Sequence, residues 1–245
     1  MDPLNAENRF QRQTLLPEVG RKGQKKLQQA GVFILGSGGL ASSAAYYLVA
    51  AGIGRIGIAD DDRVDISNLN RQILHNTSCI GMLKVDSARK TLEELNPAVN
   101  IHTYPRRFTS PGELIAVLTP YDIVVDCTDN YATRFHLNDA CIQTGKPWIY
   151  GAVSGFEGQV MTIMPGKGPC YRCLYPSVPA EADSVVPVIG VTPGMIGIIE
   201  ATEAIKHILG IGTPLIGRML VIDLLEMNMS EFNINRNQSC SACGE

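Results

Sequence analysis

The sequence has no large excess of either charge, no long apolar run and no histidine spacing typical of a metal site. Its 21 Lys and Arg against 24 Asp and Glu give a net charge of −3, so no basic surface is expected to attract nucleic acid. No run approaches about 18 apolar residues, and the first thirty residues are polar and charged, unlike a signal peptide. We therefore expect a cytoplasmic protein that binds neither nucleic acid nor membranes.

Internal repeats, low-complexity tracts and an evident linker are also absent from the sequence. The chain has 245 residues, of which 45% are hydrophobic and 18% charged, and this is enough to bury a substantial core. These properties predict one continuous α/β domain rather than one domain with an appendage.

The stretch from residue 32 to residue 71 carries the most specific pattern. It contains an apolar run at 32–35, the sequence G-S-G-G-L-A at 36–41, a helical pattern at 42–52, a second apolar run at 55–59 and then Asp60. Glycines let a backbone approach a phosphate, whose charge is met by N–H groups at a helix N-terminus. An acid after the next strand can accept hydrogen bonds from a ribose. The order predicts a nucleotide site, although a purely structural turn remains the alternative, since Ala41 replaces the third glycine.

An amide, a guanidinium and an ammonium group follow this unit at Asn68, Arg71 and Lys84. A guanidinium grips pairs of phosphate oxygens and an ammonium acts as a mobile point charge, so the set suits a triphosphate. A nicotinamide-binding domain that transfers hydride has no need of these cations. The sequence therefore favours ATP over NAD as the ligand.

A second polar cluster, Thr128-Asp129-Asn130, follows the buried-strand pattern at 121–127. Open α/β folds place their ligands at the carboxyl ends of parallel strands, so Asp129 is a candidate magnesium-binding or catalytic carboxylate. The alternative is that Asp129 caps the helix predicted at 131–144, which is the more common role for an aspartate in this position.

The remaining pattern divides the chain near residue 155. Helices alternate with strands before this point, whereas strands predominate after it, and strands without crossover helices favour antiparallel pairing. The predicted helices lie at 19–30, 81–95, 110–118, 131–144 and 197–209, and the later strands at 99–104, 121–127, 148–151, 159–164, 218–224 and 228–234. The predicted fold is α/β, with a Rossmann-like, mostly parallel sheet extended by antiparallel strands.

Four of the seven cysteines form two C-x-x-C pairs, Cys170 with Cys173 and Cys240 with Cys243. Four thiolates make a tetrahedral set suited to a closed, structural Zn²⁺ site, which here would join the C-terminal segment to the middle of the chain. A redox dithiol and unpaired buried cysteines are the alternatives. The redox role is disfavoured because neither pair is predicted to open a helix.

The sequence also predicts the positions of the N-terminal segment and of a loop at 174–191. Residues 1–30 read as an N-terminal arm and helix, and the arm around Phe10 and Arg12 is expected to be solvated. The alternative is that Arg12 reaches a phosphate site, including one on a neighbouring subunit. Residues 174–191 contain three prolines and no cysteine, and their irregular pattern predicts a mobile loop that crosses over a site.

Together, these motifs resemble the ThiF/MoeB/HesA family, bacterial and archaeal relatives of the ubiquitin-activating enzymes. The resemblance covers the whole chain and keeps the family order. The matching segments are 12–13, 36–41, Asp60 with Asp62, 67–72, Lys84, 126–130, 170–173, 190–194, 203–206 and the pair Cys240 and Cys243.

The resemblance implies an ATP-dependent adenylyltransferase. Its substrate would be the C-terminal Gly-Gly carboxylate of a small ubiquitin-like sulfur carrier protein, in thiamine or molybdopterin-type biosynthesis. The carboxylate becomes an acyl-adenylate and pyrophosphate is released. Both reactants are anions, so Arg71, Lys84 and a Mg²⁺ ion near Asp129 would offset their repulsion.

The resemblance also implies roles for individual residues. The catalytic residues would be Asp129, Arg71, Lys84 and Arg12, with Arg12 supplied by the partner subunit of a homodimer. The nucleotide would be held by Gly36, Gly38, Gly39, Asp60, Asp62, Asn68, Arg71, Gln72, Lys84, Asp129 and Asn130. Residues 31–154 would then form the nucleotide-binding half and residues 155–245 the carrier-binding half with the zinc site.

One feature departs from the family pattern. Some members carry a cysteine in the crossing loop, but residues 182–185 read A-D-S-V here. We therefore expect adenylation without a loop-cysteine intermediate, and sulfur delivery by a separate donor protein. No rhodanese domain is expected, because the sequence ends two residues after Cys243.

Two other functions compete with this interpretation. An NAD-dependent oxidoreductase would have no role for Arg71, Lys84 or the four thiolates. A non-catalytic, zinc-stabilised scaffold that binds a carrier would have no need to combine Arg71, Lys84 and Asp129.

Overall fold

The computed structural model describes residues 9–179 and 186–244. Strands and helices alternate in the first part of the chain, and the second part adds hairpin-linked strands and a long helix. The strands are β1 (Gly31–Leu35), β2 (Arg55–Ala59), β3 (Asn100–Tyr104), β4 (Ile123–Asp126), β5 (Trp148–Ser154), β6 (Glu157–Ile163), β7 (Arg218–Asp223) and β8 (Asn228–Asn233). The helices are α1 (Gln11–Thr14), α2 (Gly20–Gln29), α3 (Gly39–Ala51), α4 (Lys84–Leu95), α5 (Pro111–Leu118), α6 (Tyr131–Thr144), α7 (Tyr171–Leu174) and α8 (Val191–Leu209).

The described strands form one sheet of eight in the order β3-β2-β1-β4-β5-β6-β7-β8. The first five strands in this order are parallel, and β6, β7 and β8 are added antiparallel. At the centre, Ile34 pairs with Ile58 on one side and with Val125 on the other. The predicted fold is confirmed. Because the chain order reverses between β1 and β4, a crevice opens at the carboxyl ends of these two strands.

Strand β1 is buried along its whole length because helices cover both faces of the sheet. On one face, α3, α4 and α8 enclose an aliphatic cluster that includes Leu48 and Ile196. On the other face, α5, α6 and α7 enclose a cluster rich in aromatic residues, among them Phe33 and Trp148. Burial on both sides explains why 32–35 is an uninterrupted apolar run instead of an alternating one.

The largest boundary difference from the sequence prediction is at α8, which begins at Val191 instead of residue 197. Pro193 lies in its first turn, where the missing N–H removes no helical hydrogen bond. A Cβ on Gly190 would lie 2.2 Å from the carbonyl oxygen of Asn70, so glycine allows this helix start to pack against the segment that carries Arg71.

Strands β5 and β6 extend further than predicted and form a hairpin whose tip is at the carboxyl edge of the sheet. The tip is anchored to the segment that leads into α8, since Gly155 N donates to Pro187 O and Ile189 N donates to Gly155 O. The expected loop thus ends against the hairpin. Its A-D-S-V sequence at 182–185 lies outside the described residues.

The N-terminal arm packs at the opposite, amino edge of the sheet. Phe10 is 5% exposed and contacts Gly52, which ends α3, so the expectation of a solvated arm is wrong for this residue. Gln13 Nε2 donates to Gln24 and to the carbonyl of Ala51 at the same edge. No helix in the described part of the chain is long and apolar enough to cross a membrane.

Candidate active site

The glycine-rich turn lies where β1 approaches β4. Gly36 has a φ of 100°, and a Cβ there would be 2.5 Å from the carbonyl oxygen of Cys127. Only glycine fits this conformation and this close approach. The turn continues through Gly38 into Gly39, the first residue of α3. The predicted phosphate-binding backbone therefore lies in the central crevice, at a helix N-terminus.

Asp60 stands beside this turn, at the end of β2. Its two carboxylate oxygens accept hydrogen bonds from the backbone N–H groups of Ser37, at 2.7 Å, and Asp62, at 2.8 Å. Burial raises the pKa of Asp60, while the charge of Lys84 and the two N–H groups oppose the rise. The carboxylate thus holds the glycine turn in register with β2, and each oxygen keeps a further lone pair for a ligand hydroxyl.

Lys84 begins α4 and points back toward the same edge. Its Nζ lies 2.7 Å from a carboxylate oxygen of Asp62, and its side chain is 8% exposed against 65% for Asp62. The nearly buried ammonium is therefore positioned by an exposed carboxylate. A phosphate could replace or join this carboxylate without moving the lysine backbone.

The short segment after β2 presents three more predicted residues. Arg71 donates to the carbonyl of Ser67 at 2.9 Å, and Asn68 Oδ1 accepts from the N–H of Asp65 at 3.2 Å. Gln72 is 5% exposed and its Nε2 lies 3.6 Å from where a Cβ of Gly38 would be. Among the described residues its Oε1 has no hydrogen-bond partner, so this amide faces the glycine turn with bonding capacity left.

A buried histidine, which the sequence did not indicate as a site residue, stabilises the glycine-rich turn by a hydrogen bond to its backbone. His75 Nε2 lies 2.9 Å from the carbonyl oxygen of Ser37, and Nδ1 lies 2.9 Å from Ser87 Oγ. A carbonyl only accepts, so Nε2 carries the proton and Nδ1 accepts from the serine. Burial lowers the pKa of His75, which keeps the ring neutral. No periodicity or spacing in the sequence marks this residue.

Asp129 follows β4 on the other side of the glycine turn and is exposed to solvent. The cap of α6 is its neighbour Asn130, whose Oδ1 accepts from the N–H of Thr133 at 2.9 Å. The capping alternative for Asp129 is therefore wrong, and its carboxylate is available at the crevice. The predicted nucleotide-binding role of Asn130 stays a prediction, because this side chain is used in capping.

A buried ion pair holds the backbone of this segment. Arg134 Nε donates to Asp126 at 3.0 Å, and its Nη2 donates to the carbonyls of Thr128 and Gly151. Burial raises the pKa of Asp126, and the guanidinium opposes that rise. Since Thr128 directly precedes Asp129, Arg134 is a positioning residue for the candidate carboxylate. In the sequence, Arg134 and Asp139 are the two charged residues of this helical segment, and nothing there indicates the burial of Arg134.

Glu200 lies on α8, where it faces Cys127 after β4 and Gly151 on β5, and it is fully buried. Its Oε1 has no hydrogen-bond partner among the described residues, and a Cβ on Gly151 would be 2.5 Å from that atom. Burial raises the pKa of Glu200 well above its ordinary value, Asp126 adds to the rise and Arg134 opposes it. Burial therefore favours the neutral form of this carboxyl group, which packs beside Gly151.

Arg12 is the predicted site residue that the fold keeps apart from the others within one chain. It lies in α1 beside Phe10, which packs on Gly52 at the amino edge. The glycine turn is at the other end of α3, which has 13 residues and a length of about 20 Å. Arg12 is thus separated from the crevice of its own chain by roughly the length of that helix.

The four cysteines of the two C-x-x-C pairs come together as predicted. Their sulfur atoms all lie within 4.8 Å of one another, with 3.6 Å between Cys170 and Cys240 and 3.5 Å between Cys173 and Cys243. Four thiolates around Zn²⁺ at about 2.3 Å would be about 3.8 Å apart, so the donor set fits the metal. Cys170 does precede the short helix α7, contrary to the sequence prediction, but the clustering of all four sulfurs favours a metal over a dithiol.

Comparison with known proteins identifies the family. A sequence model of the ThiF family matches residues 10–242. This chain belongs to the ThiF family. A Thermus thermophilus relative named sulfur carrier protein adenylyltransferase is 44% identical over 97% of this chain and 91% of its own length. The family assignment agrees with the resemblance inferred from the motifs.

Other ThiF-family relatives are longer than this chain. The Zea mays adenylyltransferase and sulfurtransferase MOCS3-1 is 41% identical, and the match covers 99% of this chain but 53% of the relative. The chain therefore spans about half the length of the MOCS3 relatives it matches. E. coli MccB in complex with N-formylated MccA superposes with a TM-score of 0.87 at 23% identity, over 100% of this chain and 77% of that one. At this identity the likeness shows a common fold.

The zinc assignment predicts that Cys240→Ser removes about one equivalent of zinc and lowers the free energy of unfolding by at least about 3 kcal/mol. The loss follows because the metal links the segment after β6 to the segment after β8. Elemental analysis and thermal unfolding measure both quantities. Cys141→Ala, which changes a buried cysteine outside the cluster, should keep its zinc; a Cys240→Ser variant with full zinc content would contradict the assignment.

The burial of Glu200 predicts a pH-dependent effect of Glu200→Gln. The unfolded chain releases this proton near the ordinary value of 4.5, whereas the folded protein retains it, so the wild type loses stability as pH rises from 4.5 toward the raised folded pKa. Glutamine removes that linkage. We expect Glu200→Gln to raise the Tm by several degrees at pH 8 and to leave it nearly unchanged near pH 4. An equal shift at both pH values would show that packing, and not titration, causes the effect.

Proposed function

We propose that this protein is an ATP-dependent adenylyltransferase that activates the C-terminal Gly-Gly carboxylate of a ubiquitin-like sulfur carrier protein. The proposal depends on one observation. The glycine turn, Asp60, Lys84 and Asp129 come together at one edge of the sheet, and the Asp129 side chain is not used to cap α6. The Thermus thermophilus relative named for this activity supports the same substrate class. An oxidoreductase would leave the cations and the thiolate cluster without a role.

The reaction joins two anions, and the site is arranged to neutralise them. In the proposed mechanism, a carboxylate oxygen of the carrier attacks the α-phosphorus of ATP, the bond to the β-phosphate oxygen breaks, and pyrophosphate leaves. Arg71 and Lys84 offset the charge of the phosphates, and Asp60 accepts from the ribose hydroxyls. Gly38 and Gly39 bring backbone N–H groups to the nucleotide, whereas the N–H of Gly36 donates to Ala59 O and this glycine serves the turn itself. Asn68, Gln72, Asp62 and Asn130 flank the turn.

Asp129 has the chemistry of a magnesium ligand, since its exposed carboxylate lies at the crevice next to the phosphate-binding turn. Mg²⁺ held there would shield the triphosphate and make pyrophosphate a better leaving group. Arg134 contributes by fixing the carbonyl that precedes Asp129, which keeps the carboxylate in place without an entropic cost during the reaction.

We further propose that the active unit is a homodimer in which Arg12 serves the crevice of the partner. Its placement at the amino edge, about 20 Å from its own glycine turn, supports this arrangement. The loop segment at 182–185 carries no cysteine, so a separate donor protein would deliver sulfur to the adenylate.

The chain would divide into a nucleotide-binding and a carrier-binding half, and the protein would act in the cytoplasm. Residues 31–154 would bind the nucleotide and residues 155–245 the carrier, within one continuous domain that also carries the arm at 1–30. The pathway would be thiamine or molybdopterin-type biosynthesis. The described cysteines form no disulfide, and four of them suit zinc as thiolates, which fits the reducing conditions of the cytoplasm.

The assignment of Asp129 is tested by carrier-dependent ATP–pyrophosphate exchange, using magnesium ATP and small proteins that end in Gly-Gly. We expect exchange with the wild type, and a loss of about a hundredfold or more with Asp129→Ala, because the metal loses its protein ligand. Zinc content should not change. The control is Asp86→Ala, which alters a carboxylate paired with Arg89 on α4.

Two outcomes would count against these assignments. Exchange at the wild-type rate by Asp129→Ala would remove this residue from the mechanism. Binding of ATP and a carrier by the wild type without any exchange would overturn the enzymatic function in favour of a scaffold.

The shared site predicts complementation between two inactive variants. In a mixture of Arg12→Ala and Asp129→Ala, half of the dimers are mixed, and each of these has one crevice with both residues intact. Exchange activity should recover to about a quarter of the wild-type value. If Arg12 acted within its own chain, every crevice in the mixture would lack one of the two residues, and no activity would return.

A further inference from the structure

Two side chains fix the orientation of the peptide groups on either side of Ser37 in the glycine turn. The carbonyl oxygen of Ser37 accepts a hydrogen bond from His75 Nε2 at 2.9 Å, and the N–H group of Ser37 donates to Asp60 at 2.7 Å. Ser37 is fully buried and His75 is 5% exposed, so the bond between them lies in the protein interior. The carbonyl of the peptide group that joins Ser37 to Gly38 therefore points inward.

The inward carbonyl determines where the N–H group of Gly38 points. The peptide bonds of the described residues are trans, and in a planar trans peptide group the C=O and the N–H point in opposite directions. The N–H of Gly38 is therefore directed away from His75 and toward the crevice. The next peptide group is oriented in the same way, because the carbonyl of Gly38 accepts from the N–H and the hydroxyl of Ser42. Among the described residues, the N–H groups of Gly38 and Gly39 have no acceptor.

The ring of His75 is itself held in place by two helices. In the preceding residue, the N–H of Leu74 donates to Ser42 Oγ on α3 at 3.2 Å, and its carbonyl accepts from Thr91 Oγ1 on α4 at 3.0 Å. The fully buried Ser87, also on α4, donates to His75 Nδ1 at 2.9 Å. This bond selects the tautomer with its proton on Nε2, which is the neutral form that donates to a carbonyl at that atom.

Ser87 also connects the glycine turn to the helix that carries Lys84. Ser87 follows Lys84 by three positions, so the two residues lie on the same face of α4, about one turn apart. The ammonium group of Lys84 is paired with the carboxylate of Asp62, and its backbone N–H donates to the carbonyl of the same aspartate. The contacts from the turn through His75 and Ser87 thus hold the N–H of Gly38 and the ammonium group of Lys84 at a fixed spacing.

His75 contributes the direction of a hydrogen bond and not a charge. Burial lowers the pKa of His75, the hydrogen bond to Ser37 opposes this, and the charge of Lys84 lowers the pKa further while that of Asp60 raises it. The neutral ring donates through one N–H group. A neutral amide that places an N–H at the same point should therefore replace the imidazole, whereas an apolar side chain of similar size should not.

We propose that His75 is a positioning residue for the nucleotide phosphates, because it holds the carbonyl of Ser37 inside the protein and so directs the N–H of Gly38 at a phosphate oxygen. This inference rests on the proposed function, in which the glycine turn binds ATP. His75 does not touch the nucleotide. A peptide group that is already oriented does not have to be ordered when the phosphate binds, which favours binding.

The first test compares the Kd values of magnesium ATP and of adenosine, measured by calorimetry. His75→Leu removes the donor and leaves the carbonyl of Ser37 free to turn, so the Kd for ATP should rise about tenfold. The Kd for adenosine should not change, because adenosine has no phosphate. An equal loss of affinity for both ligands would show a general effect on the fold, and an unchanged Kd for ATP would show that the turn does not need His75; either result would overturn the proposal.

The second test is rescue by a neutral donor. The side-chain N–H of His75→Gln reaches close to the position of Nε2, so this variant should bind ATP within about threefold of the wild type. A His75→Gln variant as weak as His75→Leu would overturn the assignment of the hydrogen bond. The matched control is His207→Leu, at a half-buried histidine in the last turn of α8, which should keep both Kd values. Zinc content reports whether each variant is folded.

The third measurement needs neither a histidine variant nor a ligand. Nitrogen-15 NMR of histidine-labelled protein at neutral pH should show His75 with a protonated Nε2 and an unprotonated Nδ1, and Ser87→Ala should weaken this preference. A proton on Nδ1 alone would overturn the proposal, since Nε2 would then have nothing to donate. Failure of the wild type to bind ATP would instead refute the proposed function, while the tautomer would still be determined, so the two proposals fail separately.

Discussion

The position of Asp129 depends on the hydrogen bonds of the buried Arg134 guanidinium. It bonds to Asp126 and to the carbonyls of Thr128 and Gly151, so it joins the end of β4 to the middle of β5, and it also lies against the ring of Tyr150. Removing such a charge from water is costly unless it is paired and hydrogen-bonded, and here Nε is paired with Asp126 while Nη2 donates to two carbonyls. The result is a rigid sheet edge that carries Asp129.

A second constraint is the close approach of backbone segments at the carboxyl ends of the parallel strands. Gly36 cannot carry a side chain because the carbonyl of Cys127 is too close, and Gly190 cannot because the carbonyl of Asn70 is too close. These contacts bring the glycine turn and the start of α8 against the segment that carries Arg71. In the proposed function, an acidic protein with a net charge of −3 would recognise phosphates by a few positioned groups and not by a general positive field.

The cluster of four cysteines and the antiparallel strands β6 to β8 stabilise the second part of the chain. The thiolate cluster links the chain after β6 to the chain after β8, and so holds Tyr175, which follows the first cysteine pair, near the antiparallel strands. The segment before α8 is anchored to the tip of the β5–β6 hairpin.

The sequence by itself determined the fold class, the strand–turn–helix around the glycine turn and the four clustered cysteines, because each depends on residue types at short, fixed spacing. It also singled out Arg71, Lys84 and Asp129. The tertiary structure alone decided which groups are buried and which meet across strands. Asn130 and not Asp129 caps α6, Phe10 is buried, and Arg12 lies far from its own crevice. His75, Arg134 and Glu200 act through partners distant in sequence, and no local pattern marks contacts that form only when separate strands and helices pack together.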